Sequence, residues 1–316
     1  MALAKGKQIR NGGLLTMLNN VDDMLDFFQE NKAFITAVQY TAARFEFLDV
    51  LVEKDFLCSL ILKYLYSNND MALIFKGGTL LSKVHADFNR MSEDLDFMIP
   101  MARNVARNQR SESIRPVKEL LNNIHLKLRI FTVKQPLIGH NNSCQYTMEL
   151  NYRSHLTQSY DKILIDIGMR DELFLPADRL KAKTLLMDPF VNDSMVKPFS
   201  VIGLNSQEAY AEKTRAALCR RELAIRDYYD LDYAIMNGII DFENEAFLLL
   251  IKKKVQHEVR FHNFSAPEVI RYLQAKVKSE LEPTLKRHGI ADFNLDRILA
   301  QLTLLSKVRP LIGVAS

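Results

Sequence analysis

MALIFKGGTLLSKVHADFNRMSEDLDFMI, residues 71–99, changes its hydrophobic period twice, and those changes set the fold. Met71–Phe75 is a short apolar run of strand length, Lys76-Gly77-Gly78-Thr79 is a turn, and Leu80, Leu81, Val84 and Phe88 then recur at helical spacing. After Asn89 and Arg90 the chain alternates, Asp94, Asp96 and Met98 against Leu95, Phe97 and Ile99, until Pro100 ends the run. The stretch predicts strand, tight turn, helix and second strand, with two acids on one face of that second strand.

Working outward, residues 14–67 carry a helical pattern in which Phe47, Leu48, Leu51, Phe56, Leu60, Ile61 and Leu65 recur mostly at three- and four-residue intervals. Downstream, Leu126–Val133 and Tyr146–Tyr152 alternate as strands and Lys162–Gly168 is a further strand, so a mixed sheet is expected. Between Pro176 and Ser206 the pattern is irregular; beyond it lie helical segments at Ser206–Ala224, Asp227–Asn237, Glu243–Glu258, Ala266–Leu281 and Asp292–Val308. The expected architecture is α+β. Residues 1–200 form a mixed-sheet domain flanked by helices, including the N-terminal ones, and residues 201–316 form a helical domain. There is no internal repeat.

Composition bounds the function loosely. A chain of 316 residues with 48% hydrophobic and 25% charged residues has a globular protein's make-up. Its formal charge of +4 favours a polyanionic substrate without demanding one. Cys58, Cys144 and Cys219 are too few and scattered for a disulfide framework or a tetrahedral zinc site, which fits a reducing cytoplasm. Met1–Arg10 lacks the apolar stretch of a secretory signal. Phe247–Ile251 is cut short by Lys252–Lys254, well below the roughly 20 residues that cross a bilayer. A cytoplasmic protein without membrane association is expected.

Residues two apart in a strand share a face, so Asp94 and Asp96 set two carboxylates side by side while Leu95 and Phe97 enter the core. Like charges so placed repel unless a cation sits between them, and Mg²⁺ (or Mn²⁺) takes such hard oxygen ligands and completes its shell with water and phosphate. An isolated Asp-x-Asp is more often a solvated turn whose acids keep a strand end soluble. The upstream Gly77-Gly78-Thr79 shifts the balance, because a glycine turn opening a helix lets backbone N–H groups approach a nucleoside triphosphate. Lys76 and Lys83 flank that turn, where they either neutralise phosphate or are ordinary solvated lysines; Arg90 and Ser92 either orient the acid pair or simply form the loop. A third carboxylate would bind a second metal and draw the acceptor's proton. Asp166, an acid interrupting the apolar Ile163–Ile167, is the candidate and Glu149 its rival.

Lys76–Lys83 followed by Arg90–Phe97 resembles the signature of the AbiEii/AbiGii toxin family of nucleotidyltransferases, a branch of the DNA polymerase β-like superfamily. Glu212–Leu218 is similar to the family's lysine-bearing helix, Arg226-Asp227-Tyr228-Tyr229-Asp230-Leu231 to its Arg-Asp-x-x-Asp-Leu motif, and Glu53-Lys54-Asp55 to a further family feature. The resemblance implies a polymerase β-like lobe joined to a helical lobe with nucleotide between them. Asp94 and Asp96 would hold metal, and Lys213 and Asp230 would act from the helical side, with Asp227 beside them. Read alone, Asp227 and Asp230 are surface acids on one helix face, or a cap.

His257-Glu258-Val259-Arg260-Phe261-His262 has the wrong spacing for a zinc helix. Lys252–Lys254, Arg260, Lys276, Lys278, Lys286 and Arg287 suit either an RNA backbone or solvated helix faces. The expected activity is Mg²⁺-dependent transfer of a nucleoside monophosphate from an NTP to an acceptor hydroxyl. By resemblance the acceptor is RNA such as tRNA, and the protein is the toxin of a toxin–antitoxin or phage-defence pair with a cognate antitoxin. The alternatives are a protein or small-molecule acceptor, or a nucleotide-binding regulator without turnover. Base, acceptor and oligomeric state stay open.

Overall fold

The computed structural model describes residues 17–67, 72–102 and 104–307. The readings at Met1–Arg10, and the ends of expected elements at Leu14, Met71 and Val308, lie outside the described residues. The N-terminal helical pattern resolves into α1 (Val21–Gln29), α2 (Asn31–Phe45) and α3 (Asp49–Ser67). Asn20 starts α1 by accepting from the Asp23 N–H, which satisfies one of the donors a helix start leaves free. Phe27, Phe28, Phe34 and Phe56 pack edge-on and stacked between the three helices. Residues 51–62 of α3 are buried throughout, so this helix is a core element and not an amphipathic cover.

The motif stretch folds as β1 (Ile74–Lys76), a turn straight into α4 (Gly77–Leu80) with a π-helical continuation over Leu81–His85, and β2 (Leu95–Met98). Then come α5 (Arg107–Asn122), a short α6 (Ile124–Lys127), β3 (Phe131–His140), β4 (Gln145–Arg153), β5 (Tyr160–Gly168), β6 (Asp178–Ala182) and β7 (Phe199–Gly203). The seven strands form one mixed sheet in the order β3-β4-β5-β2-β1-β7-β6, with β2/β5 and β1/β7 parallel and the other pairs antiparallel. The α+β class expected from the sequence is the one observed.

In the sheet, two segments differ from the reading. Leu126–Val133 is not one strand: Ile124–Lys127 is helical, the Leu128 N–H closes on the Ile124 carbonyl, and β3 starts at Phe131. Phe131 pairs with Tyr152 and β4 ends at Arg153, so residues before Ile130 have no ladder to join. The irregular stretch after Pro176 holds β6 and β7, and β7 runs from Phe199 across the expected division at residue 200.

Helices follow from Ser206: α7 (Ser206–Cys219), α8 (Ile225–Met236), α9 (Glu245–Val255), α10 (Pro267–Lys276) with a π turn to Leu281, and α11 (Leu295–Lys307). The segment expected as Ser206–Ala224 stops at Cys219, and α8 opens a new axis at Ile225. These helices grip the loop between α4 and β2: the Tyr229 hydroxyl donates to the Asn89 carbonyl (3.1 Å), Arg90 pairs with Asp230, and the Met91 N–H donates to the Thr284 carbonyl (2.8 Å). Among the described residues, no helix is long and apolar enough to cross a membrane.

Candidate active site

The glycine turn is shaped by the side chains behind it. Gly77 has φ +78°, and a Cβ there would stand 2.1 Å from Asp96 Oδ2 and 2.7 Å from Asp96 Cβ. Only glycine accepts both that backbone and that neighbour. At Gly78 a Cβ would meet Arg90 Nη2 and Ser92 Oγ, each at 2.8 Å. The Thr79 hydroxyl hydrogen-bonds the Asp94 carbonyl and the Cys58 thiol reaches the Glu93 carbonyl at 3.6 Å, which fixes the backbone leading into β2.

Sheet register brings the acids together. Lys76 on β1, Asp96 on β2, Asp166 on β5 and Thr147 on β4 are successive partners, so they form one row on one face with neighbouring strands about 4.8 Å apart. Asp94 stands just before β2 and off the cleft wall, close enough that its charge acts on Asp96. Glu149 is partnered with Leu164, off that row, and lies 3.6 Å from Lys162. Asp166, not Glu149, is therefore the acid beside Asp96. Gln145 Nε2 donates to Asp166 Oδ2 at 2.5 Å and holds it in place.

Burial pushes the Asp96 carboxyl up to about 6, and Asp166 and Asp94 add to the rise while Lys76 and Lys213 oppose it. Asp94 is raised too, by burial and then by Glu93. Among the described residues no group of three or more His, Cys, Asp or Glu side chains could hold a metal by itself, so the three acids are not a preformed cage. The donor set nevertheless fits Mg²⁺: hard carboxylate oxygens, a repelling pair that a cation would relieve, and a shell left to water and phosphate.

Lys213 of α7 enters the cleft from the helical side. Its amine lies 2.9 Å from Asp227 Oδ1 and 3.1 Å from Asp230 Oδ2. Burial opposes its charge, but the two carboxylates hold its pKa above the ordinary lysine value. Asp230 is 1% exposed and absent from the cleft wall, and it is gripped by Arg90 through two bonds of 2.7 Å. Burial raises its carboxyl, but Arg90 and Lys213 outweigh that and hold it below its usual range. Asp227 does line the cleft, and Arg220 also reaches it at 3.1 Å.

The cleft encloses about 580 Å³ between sheet and helices, with Lys76, Gly77, Asp96 and Asp166 on one wall and Lys213, Arg215 and Asp227 on the other. Lys76 pairs with Asp171 at 2.8 Å, and although burial works against its charge, Asp171 and Glu212 push its pKa up to about 12. Lys83 does not belong to this wall. It is 1% exposed and turned into α3, where its amine bonds Asp55 and the Ser59 hydroxyl (2.7 Å), so the reading of Lys83 as a phosphate ligand is corrected to a buried ion pair. The Glu53-Lys54-Asp55 run is likewise a set of tethers, from Glu53 to Ser154 (2.6 Å), from Lys54 to Glu93 (2.9 Å), and from Asp55 to Lys83. Arg90 bonds Asp230 and the Met91 carbonyl and reaches neither Asp94 nor Asp96. Lys254, grouped above with the basic surface, is buried against Glu208 at 2.6 Å.

Sequence reasoning missed Gln145, Asp171, Glu212 and Arg215. Arg215 pairs with Glu212 and Glu258 at 2.6 Å each, and Asp171 meets Lys76 only because the chain after β5 turns back over β1. Glu212 and Arg215 flank Lys213 at helical spacing in the helix quoted above, whereas no local pattern marks Gln145 or Asp171.

The profile of the family described as nucleotidyl transferase AbiEii toxin, type IV TA system, matches residues 61–297. No curated protein matches the chain. Among solved structures it is similar to JHP933 from Helicobacter pylori (15% identity, 84% of this chain and 93% of that one, TM-score 0.46). It is also similar to an H. pylori protein assigned as a nucleotidyltransferase (13% identity, 91% and 97%, TM-score 0.40). A family match running from α3 to α11, across both walls of the cleft, places the chain in the AbiEii family of nucleotidyltransferase toxins of type IV toxin–antitoxin systems.

Proposed function

We propose that the chain transfers a nucleoside monophosphate from an NTP to an acceptor hydroxyl in the presence of Mg²⁺, with pyrophosphate leaving. The observation that carries this reading is the Asp96–Asp166 register pair beside a glycine turn, facing Lys213 across the cleft. Mg²⁺, held by Asp94, Asp96 and Asp166 together with phosphate oxygens, would supply charge neutralisation at the reacting phosphoryl group.

The chain's own residues do the rest. Gly77, Gly78 and Thr79 present backbone N–H groups to the triphosphate, and Ser92 lies against Gly78. Lys76 and Lys213 face the phosphate chain from opposite walls. Asp166 takes the proton from the acceptor oxygen as that oxygen bonds to the α-phosphorus and the bond to pyrophosphate breaks. Asp227 and Asp230 hold Lys213, and neither needs to touch substrate.

The acceptor is read as RNA, of which tRNA is the first to test: exposed Arg170, Arg220, Arg221 and Lys253 stand around the cleft and suit a phosphate backbone. In a type IV pair a cognate antitoxin would counter this activity. Purified protein, Mg²⁺, each α-labelled NTP and total tRNA form the test. Labelled RNA is the expected outcome. Labelled protein or small molecule would move the acceptor, and tight nucleotide binding without any transfer would leave a regulator.

A further inference from the structure

We infer that Arg90 is a positioning residue: by gripping both oxygens of Asp230 it sets where the Lys213 amine stands in the cleft, and so ties the loop leading into the acid strand to the helical wall. The inference rests on the reading of Lys213 as a cation for phosphate.

Arg90 is 3% exposed and forms no part of the cleft wall. Its Nε and Nη2 donate to Asp230 Oδ1 and Oδ2 at 2.7 Å each, a two-point fork that fixes the carboxylate plane as a single contact would not. The third nitrogen, Nη1, donates to the Met91 carbonyl at 3.0 Å, and the Arg90 carbonyl accepts from the Ser82 hydroxyl at 2.8 Å. On its other side the guanidinium lies against Gly78, where a Cβ would stand 2.8 Å from Nη2. The group is thus fixed by the glycine turn, by α8 and by its own loop.

Asp230 passes that fixation on. Its Oδ2, held by Arg90, also accepts from Lys213 at 3.1 Å, while the other anchor of Lys213, Asp227, stands at the cleft and is shared with the half-exposed Arg220. Asp230 is therefore the anchor that does not depend on the rim. Charge points the same way: Asp227 and Asp230 are both buried, and the cations beside them are the buried Arg90, the part-buried Lys213 and, at the rim, Arg220. Remove Arg90 and Asp230 is left to Lys213, while Arg220 still shares Asp227, so the amine is drawn toward Asp230 and back from anything in the cleft. A lysine at position 90 would keep the charge and lose the fork.

The test uses the full chain with Arg90→Lys and, as a second variant, Arg90→Ala. Two readouts are taken: kinetics of NMP transfer, and acylation of Lys213 measured by peptide mass spectrometry relative to the exposed Lys118 on α5. Arg90→Lys is expected to keep a cooperative unfolding transition, to lower kcat about 30-fold with KM for NTP within about threefold, and to change Lys213 labelling by at least about threefold. Lys213 labelling unchanged in both variants would overturn the inference, whatever the activity. Changed labelling in a protein that transfers no nucleotide even as wild type would support the Arg90 link and sink the transferase reading instead, so the two fail separately.

Discussion

Gly77→Ala is the substitution whose effect can be worked furthest from the structure. The new Cβ would lie 2.1 Å from Asp96 Oδ2, while a carbon–oxygen contact needs about 3.3 Å, so the carboxylate must retreat by about 1.2 Å. Rotating the carboxylate is no escape, because Asp96 Cβ is itself 2.7 Å away and the backbone of β2 would have to move. A φ of +78° adds about 1–2 kcal/mol for any residue with a Cβ. Misplacing a reacting group by about 1 Å costs about 100-fold in rate, equivalent to about 2.7 kcal/mol. Single-turnover transfer should therefore fall at least about 100-fold, and urea unfolding should show a loss of about 1–3 kcal/mol. Gly78→Ala, which presses on the Arg90 guanidinium and the Ser92 hydroxyl at 2.8 Å, should be milder, about tenfold. Gly77→Ala with wild-type turnover, or less damage than Gly78→Ala, would refute the reasoning.

The other predictions follow from particular contacts. Lys83→Met leaves Asp55 buried without its cation and should cost about 3–5 kcal/mol in chemical unfolding, while turnover per folded molecule stays within about threefold. Lys76→Met should instead raise KM for the NTP about tenfold or more in steady-state assays. Asp166→Asn should lower kcat at least about 100-fold while Glu149→Gln stays within about threefold, since Asp166 alone of the two is in register with Asp96. For pH, burial works against the charge of Asp171, yet Lys76 holds its carboxyl well below the unfolded value of about 3.9. The unfolded chain then binds the proton first, so this contribution is complete above about pH 4 and is lost as pH falls below it. Asp171→Asn should flatten the urea-midpoint profile between about pH 4 and 2.5.

How much was legible in the sequence follows from how local each signal is. Strand, turn, helix and strand over residues 71–99 showed because period changes and two glycines are adjacent in the chain. The position of Asp166 showed because an acid is out of place in Ile163–Ile167, although its partner strand, β2, became known only from the sheet order. Lys83 misled because helical spacing gives its distance from the turn and not which side faces α3. The charge-rich α5 was passed over: Ile114, Val117 and Leu121 carry its buried face, too sparse a stripe to stand out. Arg90 was read toward the acids four and six residues on, while its partner Asp230 lies on α8, a pairing that only the packing of that helix on the Asn89–Met91 loop creates. Asp171–Lys76 and Arg215–Glu258 show the same limit, as the partners in each pair come from elements far apart in the chain.

The most direct measurement is single-turnover transfer from α-labelled NTP to total tRNA in Mg²⁺ by wild type, Asp96→Asn and Asp166→Asn, each shown to unfold cooperatively. Wild type should label the acceptor, and both variants should be at least about a hundredfold slower. Turnover within about tenfold of wild type in either variant would contradict a site built on the Asp96–Asp166 pair.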